Sequence, residues 1–175
     1  MTRHFVWDIF VRIFHWTLVV LFAANALYTN PEHSLHHYIG YAVAALILAR
    51  IIWGFVGTRH ARFGDFLPSV SGAIRQLREM LTGQRQVHLG HTPLGALMIY
   101  NLLATLAAIA TTGYMMTTVR FFGVQWVEDM HVALVTWAEI SVAIHVAAVL
   151  IESRRLRVNL PKAMISGYKE TTGPL

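Results

Sequence analysis

The chain has 175 residues, of which 55% are hydrophobic and 13% charged, and its mean hydropathy is +0.50. A soluble domain carries about a quarter charged residues, so the composition excludes an ordinary water-soluble fold. The formal net charge is +5 and cysteine is absent. That excludes disulfides, thiolate-held iron–sulfur clusters and covalent CxxCH haem attachment. The basic residues flank apolar runs instead of forming one patch, so nucleic acid is not an expected partner.

In chain order, residues 1–12 are a short lead, followed by an apolar run too long for a signal-peptide h-region and containing His15. No cleavable leader is expected. Four spans are predicted, at about residues 13–28, 36–56, 93–117 and 129–151, each about long enough to cross a hydrocarbon core of ~30 Å, the first being the shortest. Phe10 and Val11 could extend the first, which closes at Asn30-Pro31. The second ends at Gly57, and the third begins at Pro93, a favourable first-turn residue. Between spans two and three, Val70, Ile74, Leu77 and Leu81 recur at helical spacing within residues 68–83, with Arg75, Arg78 and Glu79 on other faces. This predicts a short amphipathic helix lying on the membrane surface. The tail repeats the pattern over 158–165, where Pro161 is read as an interruption. The expected fold is an all-α integral membrane four-helix bundle, a single domain over residues 1–175.

Arg3 and Arg12 precede span one. Arg59, Arg62, Arg75, Arg78 and Arg85 lie between spans two and three, and Arg154, Arg155, Arg157, Lys162 and Lys169 follow span four. The opposite side holds Arg120. The positive-inside rule therefore predicts cytoplasmic termini and a cytoplasmic middle loop.

His131 and His145 are fourteen residues apart in span four, close to four helical turns, so they share a face about 21 Å apart along the axis. Ionisable side chains inside a bilayer are costly and usually face the bundle interior. By depth, His15 sits level with His145 near the cytoplasmic side, and His36 level with His131 near the outer side. Two imidazoles from different helices at each of two levels is what two six-coordinate haems require. His37 competes with His36, but His36 has Gly40 one turn on, where a missing side chain lets a flat ring approach.

Arg50 lies in span two on nearly the face of His36. Two readings stand open: snorkelling to cytoplasmic headgroups, or pairing with a haem propionate or quinone carbonyl. His4, His33, His60, His88 and His91 fall in loops and read as surface residues, although His91, in Gly90-His91-Thr92-Pro93, could also serve a propionate or donate a proton. Gly54, Gly95 and Gly113 read as sites of close helix contact.

Several landmarks carry a family resemblance. They are Val6-Trp7-Asp8 through Arg12-Ile13-Phe14-His15-Trp16; His36, Gly40, Tyr41 and Arg50 with Trp53-Gly54-Phe55-Val56-Gly57; Arg59-His60-Ala61-Arg62-Phe63; Gly90-His91-Thr92-Pro93; and His131 with His145-Val146-Ala147-Ala148-Val149. The chain resembles the bacterial cytochrome b561 and nickel–iron-hydrogenase b-subunit family. The resemblance implies a four-helix bundle with two non-covalent b haems. It also implies His15, His36, His131 and His145 as axial ligands, and electron transfer between a periplasmic partner and membrane quinone. The short loops at 30–35 and 118–128 depart from the longer hydrogenase subunits. A stand-alone cytochrome is compatible, as is one serving a c-type cytochrome or a dehydrogenase subunit.

The expected function is thus a di-haem, quinone-linked electron conduit in the lipid bilayer. The leading rival is a superoxide:quinone oxidoreductase, an activity of compact members of that family. A haem-free membrane anchor or a histidine-lined metal-ion transporter is a third class, for which Glu139 and Asn25 are the sparse intramembrane polar candidates.

Overall fold

The structure, a computed structural model, describes residues 2–83 and 90–171. Arg85 and His88, read above as a cytoplasmic charge and a loop histidine, lie outside the described residues. The elements run β1 (Thr2–Phe5), α1 (Ile9–Tyr28), α2 (Ser34–Val56), α3 (Val70–Leu81), α4 (Pro93–Met116), α5 (Gln125–Leu156), α6 (Leu160–Ser166) and β2 (Tyr168–Thr171). Four of them, α1, α2, α4 and α5, are long and apolar enough to cross a membrane. The protein is an all-α membrane bundle.

Helix limits follow from capping chemistry. α1 begins at Ile9, four residues before the apolar run, because the Asp8 carboxylate accepts the Val11 N–H at 2.8 Å. Such a cap satisfies one of the donors that a helix start leaves unpaired. Thr92 does the same for α4, accepting from Gly95 N at 3.1 Å, with Pro93 in the first turn. At 32 residues α5 is the longest element. It spans about 48 Å at 1.5 Å per residue, so it projects beyond a 30 Å core. Pro161 opens α6 rather than interrupting it, since proline is tolerated where the helical N–H has no partner anyway.

α1 packs along α2, α2 on α4, and α4 along α5. Phe14, Val43, Ile47 and Leu106 form the shared core of the first three spans. A polar clasp attaches α5 to α4: Trp137 Nε1 donates to Asn101 Oδ1 at 3.0 Å, and Asn101 Nδ2 donates to Ser141 Oγ at 2.9 Å. Interhelical hydrogen bonds of this kind are each worth about 0.6 kcal/mol, but they fix rotation. Among the described residues, α5 has no extended backbone contact with α1 or α2. This sparsely joined seam between α5 and that pair forms the slot.

The expected small-residue contacts divide three ways. A Cβ on Gly54 would fall 2.1 Å from the Phe63 ring, one on Gly95 would meet its own cap Thr92, and one on Gly113 would approach His131 across the α4–α5 interface. Gly54 therefore seats an aromatic ring from the loop after α2, where substitution by alanine would force Phe63 out.

The amphipathic helix forms as α3. Its small and polar side, Gly72, Ala73 and Gln76, is buried, while Val70, Ile74, Leu77 and Leu81 are exposed. Gln76 Oε1 accepts the Leu94 N–H at 3.0 Å, which docks α3 onto the start of α4 and leaves the apolar stripe for lipid.

Both chain ends close the same face of the bundle. β1 and β2 pair antiparallel, with Phe5 opposite Tyr168. The Gly167 carbonyl accepts from Val6 and Trp7 N–H groups at 2.9 and 3.1 Å, and Gly167 itself holds φ +88°, a left-handed conformation open to glycine at little cost. Val6, Trp7 and Ala163 pack beneath this ribbon. Arg12 donates to the Ile165 carbonyl and Trp16 Nε1 to Met164 O at 3.3 Å. The ribbon was not expected from the sequence.

Asp8 is the knot of this face. Besides capping α1, its other oxygen accepts from Trp53 Nε1 at 3.0 Å and Thr58 Oγ1 at 2.5 Å, joining the N-terminal segment to the end of α2. Burial alone would raise its pKa, but the donors from Thr58, Val11 and Trp53 outweigh that and hold it below the ordinary carboxylate value. Asp8→Ala should therefore destabilise the bundle by about 1–3 kcal/mol, the cost of orphaned buried donors. A depressed carboxylate contributes stability above its unfolded pKa and loses it as pH falls through the folded one. Thermal unfolding in detergent should show the wild-type advantage over Asp8→Asn in full at neutral pH and shrinking below about pH 4.

Candidate functional site

The slot beside α5 carries the histidines. His36 is the third residue of α2 and His131 the seventh of α5, both near the end of the bundle with short loops. Their ring centroids stand 6.5 Å apart with planes at 67°. His37, the sequence competitor, is exposed and stands edge-on to His36.

The second nitrogens are engaged. His36 Nδ1 is 3.1 Å from Thr29 Oγ1, and His131 Nδ1 is 2.9 Å from Thr112 Oγ1. Neither threonine was singled out from the sequence, because a threonine in an apolar helix usually only bonds its own preceding turn. The His131 ring also packs against Gly113, 3.3 Å from where a Cβ would stand.

At the opposite end, His15 on α1 and His145 on α5 lie close enough to interact electrostatically. The His15 ring is held edge-on by Trp16, with centroids 5.1 Å apart. Its Nδ1 is buried with no hydrogen-bond partner. Among the described residues no three acidic or histidine side chains gather as a metal-ion site.

Arg50 is 4% exposed and does not snorkel. Its Nη2 donates to the Ala61 carbonyl at 3.1 Å, and its guanidinium lies over the Phe63 ring at 5.2 Å. The other terminal nitrogen, Nη1, is buried and unpartnered. His91 corrects the surface reading: its ring is enclosed by Trp7 and Phe66, with centroids at 4.6 and 4.1 Å. His60 is half-buried and bonds Asp65 at 2.8 Å. Arg59 also reaches Asp65, from an exposed position. Arg120 is exposed beyond α4, over Phe121.

Among the described residues, four buried side-chain atoms lack a partner: Arg12 Nε, His15 Nδ1, Arg50 Nη1 and His91 Nδ1. All four belong to the end of the bundle closed by the chain termini. Buried polar groups are normally satisfied, so this cluster has the donors for an oxygen-bearing ligand.

These observations test the fit of a haem. A first-row metal sits about 2 Å from an imidazole nitrogen; two such bonds in line, plus about 1 Å from each nitrogen to its ring centre, separate the centroids by about 6 Å. His36 and His131 meet that spacing. A Cβ on Gly40 would have no atom within 4 Å, so the wall of the slot one turn from His36 is open. At the short-loop end the facing imidazoles and the open wall fit an iron porphyrin, and at the opposite end the unpartnered donors of Arg12 and Arg50 fit the carboxylates of one.

A family model for prokaryotic cytochrome b561 matches residues 6–167. The chain belongs to that family. No curated protein and no solved structure matches it. The cytochrome is therefore a multi-pass membrane protein that serves electron transfer with b-type haem, and the matched stretch takes in all four spans.

His91 supplies a pH prediction. Burial, then the charges of Arg50 and Lys169, push its pKa down to about 3, so it stays neutral in the folded cytochrome. Below the ordinary value of about 6.5, the unfolded chain takes up a proton that the folded one refuses, and stability falls with pH. His91→Leu should flatten the pH dependence of the unfolding temperature between about 6.5 and 3, leaving the steeper acid limb set by carboxylates such as Asp8.

Proposed function

We propose that the protein conducts electrons across a bacterial inner membrane through two b haems, one held by His36 and His131 and the other by His15 and His145. It would link a periplasmic redox partner to the quinone pool. The observation that carries this reading is the 6.5 Å facing of His36 and His131 across the slot, with His145, on the same helix as His131, within electrostatic reach of His15. The distribution of basic residues supports a cytoplasmic location for the termini, and the two pairs then lie at opposite depths of the bilayer.

When bound, haem supplies reversible one-electron chemistry. The protein supplies the rest. α5 presents one imidazole to each level, and the Asn101–Trp137–Ser141 clasp holds its rotation. The core around Phe14, Ile47 and Leu106 excludes water and keeps the local dielectric low. Arg12, Arg50 and His91 direct unsatisfied donors into the closed end, where they would bind carboxylate oxygens or a quinone carbonyl. Tyr100, whose hydroxyl donates to Phe63 O at 3.4 Å, helps keep the Phe63 wall under Arg50 in place.

The test is haem b per chain in detergent-purified protein, by pyridine haemochrome with quantitative protein analysis. About two per chain is the expected outcome for two bis-histidine sites. Replacing His36 or His131 with Ala should remove one spectral component and spare the other, while His15→Ala or His145→Ala should do the reverse. A haem-free protein after reconstitution would overturn the reading. Arg50→Leu should weaken quinone-dependent oxidation of the reduced protein by about tenfold or more, the scale for losing a charge-assisted hydrogen bond.

A further inference from the structure

The two histidine pairs are built differently. Thr29 Oγ1, at the end of α1, lies 2.6 Å from the Asn25 carbonyl and 3.1 Å from His36 Nδ1. Thr112 Oγ1, on α4, lies 2.9 Å from the Ala108 carbonyl, 3.1 Å from that of Ile109 and 2.9 Å from His131 Nδ1. A hydroxyl has one proton, and a main-chain carbonyl can only accept. The proton of each threonine is thus committed to its own helix, and the hydroxyl oxygen turns its lone pairs to the imidazole. Nδ1 must then carry the hydrogen, because a bare Nδ1 would set two lone pairs against each other. The neutral ring is left with its lone pair on Nε2, the form that ligates a metal. The same device appears twice, from two different helices, on the two partners of one pair. The other pair lacks it: His15 Nδ1 is unpartnered, and no ring hydrogen bond is made by His145 among the described residues.

On the reading above that each pair holds a haem, we propose that Thr29 and Thr112 are positioning residues that lock His36 and His131 as Nδ1–H tautomers and so make theirs the low-potential haem. A ligand imidazole that donates from its far nitrogen is more basic. A more basic ligand favours ferric over ferrous iron and lowers the potential. Arg12 and Arg50 at the other end add positive charge there and act in the opposite sense, so the two sites diverge. The resulting slope favours electrons moving from the short-loop end toward the end closed by the termini.

The experiment is a redox titration of the purified holoprotein, following the haem absorption bands, with low-temperature electron paramagnetic resonance of the oxidised form. The component lost in His36→Ala should be the one of lower midpoint in the wild type. Thr112→Val and Thr29→Val should each raise that midpoint and shift that component's resonance, leaving the other component unmoved. Thr112→Ser and Thr29→Ser should restore both readouts. Unchanged midpoints in both valine variants would overturn the proposal, as would equal shifts of both components. Loss of that haem from both valine variants, with both serine variants normal, would make the threonines purely structural and overturn it too. A wild type with fewer than two haems would instead defeat the underlying reading, before any threonine is altered.

Discussion

Two imidazoles facing each other inside an apolar bundle set the terms for everything around them. Bare rings at this depth forfeit their hydration, and a bundle free to close would pack α5 against α1 and α2 and expel the space between. Instead α5 is held off from that pair and secured to α4 by the Asn101–Trp137–Ser141 clasp. The slot is thus a property of the fold. It persists because the α1–α2–α4 core around Phe14, Val43, Ile47 and Leu106 is complete without α5.

The two ends of the slot are finished by different means. At the short-loop end, hydroxyls meet the outer nitrogens of the rings. At the other, an aromatic and cationic cap encloses donors that the protein itself does not satisfy. Asp8 ties that cap to α2, Phe63 fills the room that Gly54 leaves, and Lys169 reaches across to the Gly90 carbonyl at 3.2 Å. Burial drives the Lys169 pKa down to about 8, against the pull of Glu152. A cap that holds a buried lysine and a neutral buried histidine is tuned for negative or oxygen-rich company.

Much of this was legible in the chain. The four spans show as apolar runs, and Pro93 marks a helix start by local chemistry alone. The spacing of His131 and His145, set against the depth of His36 in its span, placed the first pair; their ligation of haem is the proposal built on it. What escaped notice depends on partners distant in sequence. Asp8 is not read as a helix cap from the sequence, and its bonds to Trp53 and Thr58 join residues 45 and 50 positions away. His91 reads as a loop residue because the rings that bury it, Trp7 and Phe66, come from elsewhere. The stripe on α3 reads as a membrane-surface face, but the docking of its other side on α4 does not show in the sequence: Gly72 and Ala73 make that contact since small residues allow closer approach. Strands of four residues, as in the terminal ribbon, are too short to leave a periodic signal.

That ribbon has a consequence for biogenesis. Phe5 finds its partner Tyr168 after every intervening segment has been made and threaded through the bilayer. Chains emerge from the ribosome N-terminus first, so β1 waits on one side of the membrane, unpaired, throughout insertion of the four spans. The cap over Arg50 and His91 is accordingly the last part of the protein to assemble. Until it does, Trp7 has no Gly167 carbonyl to hold it over the His91 ring.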